Sequence, residues 1–217
     1  MCSPVNAYHE TVKKFVAVDP VDVAARSGSY YNKDRGIFEI VYLGNAYMIE
    51  RDGRVWRGDN PGEEVAFNDK TLILQYLCEA SGIPPRGSWI SFLELPDGAH
   101  HYVPFQTDAT GPMASLFGTS PEKFARAAEF FGGRPLSMGD YSFLIPALPK
   151  IPLAVVLWEG DEEFPAKSTI LFDSVAPLHL STAALWVLGV ELAGKMIGFT
   201  DEKLSKSITW LEGVKRD

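Results

Sequence analysis

Two apolar runs in the second half of the chain set its hydrophobic pattern: Ile151 to Trp158 and Lys167 to Phe172. The first, IPLAVVLW, is rich in branched residues and has the length of a strand buried on both faces. The connection between the runs, Glu159 to Ala166, is short and polar and contains Gly160 and Pro165, so the pair reads as a β-hairpin. This hairpin is expected at the centre of a sheet, with Glu159, Asp161, Glu162 and Glu163 forming an acidic tip at its rim.

The preceding chain alternates between helical and strand periods. Ser3-Pro4 reads as a cap and first helical residue, and Tyr8, Val12 and Phe15 then recur on one face. Asp19-Pro20 starts a short helix that runs to about Arg26 before Gly28. From Gly36 to Arg57 the period drops to two, with breaks at Gly44-Asn45 and Asp52-Gly53, which predicts a three-stranded meander. Asn68 is placed to cap a helix through Leu72, Ile73, Tyr76, Leu77 and Ala80, with Cys78 buried inside it. SWISFLELPDGAHHYVPF reads as two strands around Asp97-Gly98, which would send His100 and His101 to opposite faces.

A helical turn is expected over Met113 to Phe117. Ser120-Pro121-Glu122 opens a helix with Phe124, Ala127, Ala128 and Phe131 as its apolar stripe. A Gly/Pro-rich loop from Gly132 then leads into the hairpin. Ser181 caps a helix carrying Leu185, Leu188, Leu192 and Met196, apolar on most sides with Glu191 and Lys195 as exceptions. A last helix is expected from Thr200 through Leu204, Ile208 and Leu211. Helices and hairpins come in blocks, without strand-helix-strand alternation. The predicted class is therefore α+β: a mostly antiparallel sheet built from hairpins, packed by four to six helices in a single domain.

Composition narrows the function classes. A chain of 217 residues with 46% hydrophobic content can bury one large core. A net charge of −8, with Lys and Arg scattered, argues against a nucleic-acid partner. No apolar run approaches the roughly 20 residues that span a bilayer, so no membrane partner is expected. MCSPVNAYHETVKKF has no basic region followed by an apolar one, so no signal peptide is expected. Cys2 and Cys78 make no disulfide framework, which fits a cytoplasmic protein.

There is no Gly-rich phosphate loop, no Cys-x-x-Cys, no His-Glu-x-x-His and no Gly-x-Ser-x-Gly. The acidic tip is the strongest candidate. Asp161, Glu162 and Glu163 in a row suit a hard cation, acid–base work, or simply a solvated turn that discourages edge pairing. Trp158, Phe164 and Phe172 flank the acids and could form a pocket or part of the core. Asp140 and Asp173 are further carboxylates that could reach the same rim, and His179 is the histidine best placed to join them. Within the tip, Glu163 suits a structural role because it adjoins Phe164, and Asp161 a functional one because Gly160 leaves it room.

Three stretches carry a resemblance. LQYLCEASGIPPRGSWISFLEL (Leu74 to Leu95), the FGG and GDYSF segments near Phe131 and Asp140, and PKIPLAVVLWEGDEEFPAKSTILFD (Pro149 to Asp173) together resemble an uncharacterised prokaryotic domain-of-unknown-function family of anaerobes. The resemblance covers nearly the whole chain and supplies no catalytic assignment. Some relatives carry a cysteine-rich segment that looks like an iron–sulfur site, which this chain lacks. The setting of the relatives suggests corrinoid or one-carbon metabolism.

The expected function is a soluble accessory or ligand-binding protein, with a tetrapyrrole or corrinoid as the ligand class implied by the resemblance. Trp158, Asp161, Glu162, Glu163, Phe164, Asp173 and His179 are the expected ligand-binding residues. The alternatives are a metal-dependent or carboxylate-based enzyme using the acidic tip, and a protein-interaction module.

Overall fold

The computed structural model describes residues 4–199. It is an α+β fold with two antiparallel sheets. The first is a meander of β1 (Tyr30–Asn32), β2 (Ile37–Tyr42), β3 (Asn45–Glu50) and β4 (Val55–Arg57), paired in chain order. The second contains β5 (Trp89–Ser91), β6 (Arg134–Pro135), β7 (Tyr141–Leu148), β8 (Ile151–Trp158) and β9 (Lys167–Asp173), in the order β5-β9-β8-β7-β6. The expected hairpin is β8–β9, in register from Leu153 opposite Phe172 to Trp158 opposite Lys167. β8 is the middle strand, as its unbroken apolar run requires, and of its residues only Pro152 and Trp158 are not buried.

The helices are α1 (Pro4–Ala17), α2 (Pro20–Ser27), α3 (Phe67–Glu79), α4 (Tyr102–Phe105), α5 (Gly111–Phe117), α6 (Pro121–Phe130) and α7 (Thr182–Ile197). A π-helical turn, Gln106–Thr110, joins α4 to α5. Asp19 caps α2 through the Val21 and Asp22 amides, and the Ser181 hydroxyl caps α7 through that of Ala184. α1 packs on α3 and α3 on α7, while α5 and α6 lie against the second sheet. The sheets meet where the Leu43 amide donates to the Ala147 carbonyl at 3.0 Å. The Tyr76 hydroxyl on α3 ties the end of α2 to the β7–β8 turn, donating to the Ser27 carbonyl at 2.7 Å and accepting from the Lys150 amide at 3.1 Å. Among the described residues, no helix is long and apolar enough to cross a membrane.

Several expectations need correction. The segment after α6 is not only a loop: Tyr141–Leu148 forms β7, which pairs with β8 through the tight turn at Pro149-Lys150. Pro146 disguises the strand, and the chain accommodates it with a register shift between Ile145 and Leu148. Asp97-Gly98 does not make a hairpin. Ser91 and Glu94 form a capping box on a 3-10 turn, Phe92–Glu94, and a second turn covers Gly98–His101. Asp97 adopts φ 58°, and the Gly98 amide donates back to Leu95. His100 and His101 are consequently exposed on a helical turn and not on a strand. The first hairpin of the meander turns on Leu43-Gly44, both at positive φ, one residue earlier than expected. α3 begins at Phe67 with Ala66 in the cap position and so has no side-chain cap; Asn68 lies inside the helix and donates to Glu191. Cys78 is half-buried, and burial pushes its thiol pKa up to about 11. Cys2 and the helix expected from Thr200 lie outside the described residues.

The core between α7 and the second sheet is aromatic: Phe92 stacks on Phe105 at 4.3 Å, and Phe172 sits 6.1 Å from each. α7 comes close to it through Gly189, where a Cβ would lie 2.6 Å from the Phe105 ring. Gly189→Ala should therefore destabilise the fold by about 1–3 kcal/mol. Gly194 on the same helix has no neighbour within 4 Å, so Gly194→Ala should stabilise by up to about 1 kcal/mol. The urea midpoints of the two variants should move in opposite directions.

Candidate functional site

The acidic tip is a hydrogen-bonded turn. Asp161 Oδ1 accepts from the amides of Glu163 at 2.8 Å and Phe164 at 2.7 Å, and the Asp161 amide donates to the Phe164 carbonyl. These two bonds hold the Asp161 carboxyl below the usual range, the bond from Phe164 contributing most. Asp161 thus has the structural role expected of Glu163. Glu162, Glu163 and Phe164 are exposed. Asp140 does reach the hairpin, accepting from the Glu159 amide at 2.9 Å. Trp158 lies at the mouth of a cavity of about 330 Å³ beside the π-helical turn, with Gln106, Lys167 and Thr169 in the same walls. It is the one residue of the expected set that lines this cavity.

Asp173 and His179 lie elsewhere. Six residues of β9 separate Asp173 from the tip side of the hairpin, roughly 20 Å along an extended strand. Asp173 is fully buried and accepts three amides: Oδ2 from Arg86 (3.0 Å) and Gly87 (2.7 Å), Oδ1 from Val175 (3.1 Å). His179 is also fully buried, and its Nδ1 accepts from the Ser81 amide at 3.2 Å. That bond assigns the proton to Nε2, which is buried and meets no acceptor at hydrogen-bond geometry among the described residues. The structure therefore splits the expected set between the two ends of the sheet. Among the described residues, no group of three or more His, Cys, Asp or Glu side chains is arranged to hold a metal ion.

A further cluster of buried and half-buried ionisable groups lies at a different place. A cleft of about 720 Å³ opens between β3, β4, the start of α3 and the C-terminal half of α7. On its wall Asp69, 5% exposed, accepts from the Tyr42 hydroxyl at 2.9 Å and pairs with Lys195 Nζ at 3.0 Å. Lys195 also donates to Glu191 at 3.0 Å, and the other oxygen of Glu191 accepts from Asn68 Nδ2 at 2.7 Å. Burial works against the Lys195 charge, but the Asp69 charge and the bonds to Glu191 and Asp69 outweigh it and hold the pKa above the ordinary value. Burial, reinforced by Asp69, drives the Tyr42 phenol well above its usual range. The same two causes push Tyr47 up to about 12. Tyr47 is 4% exposed and lines the cleft, and its hydroxyl has no hydrogen-bond partner among the described residues.

Folding explains how these groups gather. The alternation of β3 turns Tyr47 inward with Ile49. On α7, the i,i+4 spacing puts Glu191 and Lys195 on one face, opposite the first turn of α3. The available sequence signal was the pair Glu191 and Lys195, two charges on a helix otherwise suited to a core. Asp69 carried no such signal because a carboxylate in a first helical turn is routine.

Two predictions follow from the groups placed here. At the tip, Asp161→Ala should lower the melting temperature while Glu162→Gln and Glu163→Gln leave it unchanged. The second concerns His179, whose pKa burial holds below the unfolded value of about 6.5. The unfolded chain then binds the proton first, so the contribution of neutral His179 is complete above about pH 6.5 and falls as the pH drops toward the folded pKa. Thermal melts from pH 7.5 to 5 should show this loss, and His179→Gln should have a shallower profile.

No curated protein and no solved structure matches the chain. A family model described as domain of unknown function (DUF3786) matches residues 19–195, a span that holds both the hairpin tip and the Asp69–Lys195 cleft. The chain belongs to the DUF3786 family.

Proposed function

We propose that this protein binds a small molecule in the cleft between the meander and α7, acting as an accessory or ligand-binding domain. The observation that carries the reading is the buried Asp69–Lys195–Tyr42 network on the wall of a cleft whose volume suits such a ligand. Tyr47 adds a hydroxyl with no hydrogen-bond partner among the described residues, available to a guest. The tip has less to offer a ligand, because the Asp161 carboxylate is occupied by its own turn and its neighbours are solvated. A tetrapyrrole or corrinoid ligand, with a role in one-carbon metabolism, is a narrower proposal supported by the family resemblance alone.

Tyr47→Phe provides the test. Removing an unpartnered hydroxyl from a nearly buried site should leave stability unchanged or raised, whereas a binding role makes the same change reduce affinity. A thermal-shift screen of small molecules should be run on the wild type and on Tyr47→Phe, with a corrinoid included. A ligand at about 100 times its Kd adds about 2.7 kcal/mol, or about 5–10 °C for a domain of this size. The expected result is a set of stabilising compounds whose effect shrinks in Tyr47→Phe. Compounds that stabilise both proteins equally would place binding elsewhere and overturn the reading.

A further inference from the structure

The charge balance of the cleft identifies the class of guest, an inference that rests on the binding reading above. Four carboxylates line it, Glu63, Glu64, Asp69 and Glu191, against two cations, Arg57 and Lys195. Both cations already have more than one acid. Lys195 lies 3.0 Å from Asp69 and 3.0 Å from Glu191. Arg57 forks onto Asp59 at 3.0 and 2.6 Å and reaches Glu63 at 3.5 Å. An incoming anion would have to displace a carboxylate from either one, and would meet the remaining acids at short range. A cation meets the opposite situation. Glu64 is exposed and makes no ion pair among the described residues, and Glu63 shares its one cation with Asp59.

The remaining walls supply aromatic surface. Tyr47, Phe130, Phe131 and Phe199 line the same space, and rings of this kind attract an ammonium group as well as an apolar body. The Tyr47 hydroxyl, on a side chain only 4% exposed, adds a hydrogen-bonding group that no described residue uses. We infer that the cleft takes an organic cation: an amine whose charged end meets the acids of the rim and network, and whose apolar part lies on the aromatic wall.

Three matched probes separate charge from shape: 2-phenylethylamine, 2-phenylethanol and 3-phenylpropionate. Each is titrated into the full-length ¹⁵N-labelled protein to about 10 mM, enough to detect roughly millimolar binding. Shifts are followed at residues 63–69 and 190–198. The amine should bind there at least tenfold more tightly than the alcohol, and the propionate more weakly than both. Glu63→Gln/Glu64→Gln, which changes only exposed side chains, should reduce the amine's advantage over the alcohol severalfold. Raising the salt to 1 M, where charges are screened within about 3 Å, should do the same. If the alcohol or the propionate binds the cleft as tightly as the amine, the cation inference is overturned while the binding site stands. If the amine shifts only residues 159–163, it is recognising surface acid and the inference is again overturned. If none of the probes shifts a cleft residue, both readings fall.

Discussion

The fold depends on keeping one strand out of water on both faces. From Leu153 to Leu157, β8 presents an unbroken series of buried apolar side chains, so neither face can be left to solvent. Burial of a Val or Leu side chain of this kind contributes about 1.5–3 kcal/mol. Leu153, Val155 and Leu157 join the main core. On the other face the loop before β7 folds across Val156, where Gly139 approaches it and the Asp140 amide donates to the Leu157 carbonyl at 3.1 Å. β7 and β9 satisfy the strand's backbone groups on either side. The hairpin tip follows from the same requirement: β8 must reverse into β9, and Asp161 organises that reversal through two amide bonds.

A buried ion pair is a different kind of element, because its attraction is largely spent on the cost of removing charge from water. Asp69 and Lys195 are therefore weak contributors to net stability, although removing one partner would strand the other. Their arrangement at the edge of a cleft, with Tyr42 and Glu191 completing the bonds, maintains a polar wall that an apolar core would not need. Tyr47 sharpens the contrast. Its ring is packed as a core residue while its hydroxyl, at the cleft, makes no hydrogen bond among the described residues.

Much of the architecture was legible in the chain. The hairpin β8–β9, the meander and α7 each follow from apolar spacing and turn chemistry that agree with each other. Where the reading failed, a strong local signal was outweighed by context. Pro146 and the glycines that precede the strand, Gly132, Gly133 and Gly139, suppressed β7, whose apolar run Phe143 to Leu148 is evident once a bulge is allowed. Asp97-Gly98 is a strong hairpin pair in isolation, but Glu94 closes a capping box with Ser91 and commits the segment to helical turns first. The cleft network was harder to read from the chain, because Asp69, Glu191 and Tyr47 belong to separate elements and become neighbours only through the packing of α3 and α7 beside the meander. Acids adjacent in sequence, at the tip, were easy to see and proved to be solvated or to serve their own turn.

The two buried carboxylates show what separates a structural acid from a candidate functional one. Asp173 accepts three backbone amides, from Arg86, Gly87 and Val175. Main-chain partners of that kind cannot move without unfolding the loop that carries them, so the carboxylate is committed to holding that loop against the end of β9. Among the described residues the partners of Asp69 are side chains, Tyr42 and Lys195, and Lys195 divides its bonds with Glu191. Side-chain partners can rotate and exchange at modest cost, particularly beside a cleft where a guest can take over a lost bond. Burial alone would rank the two acids together, and Asp173 is the more deeply buried. The identity of the partners distinguishes them: the bonds of Asp69 can be exchanged beside the cleft, whereas those of Asp173 are built into the backbone.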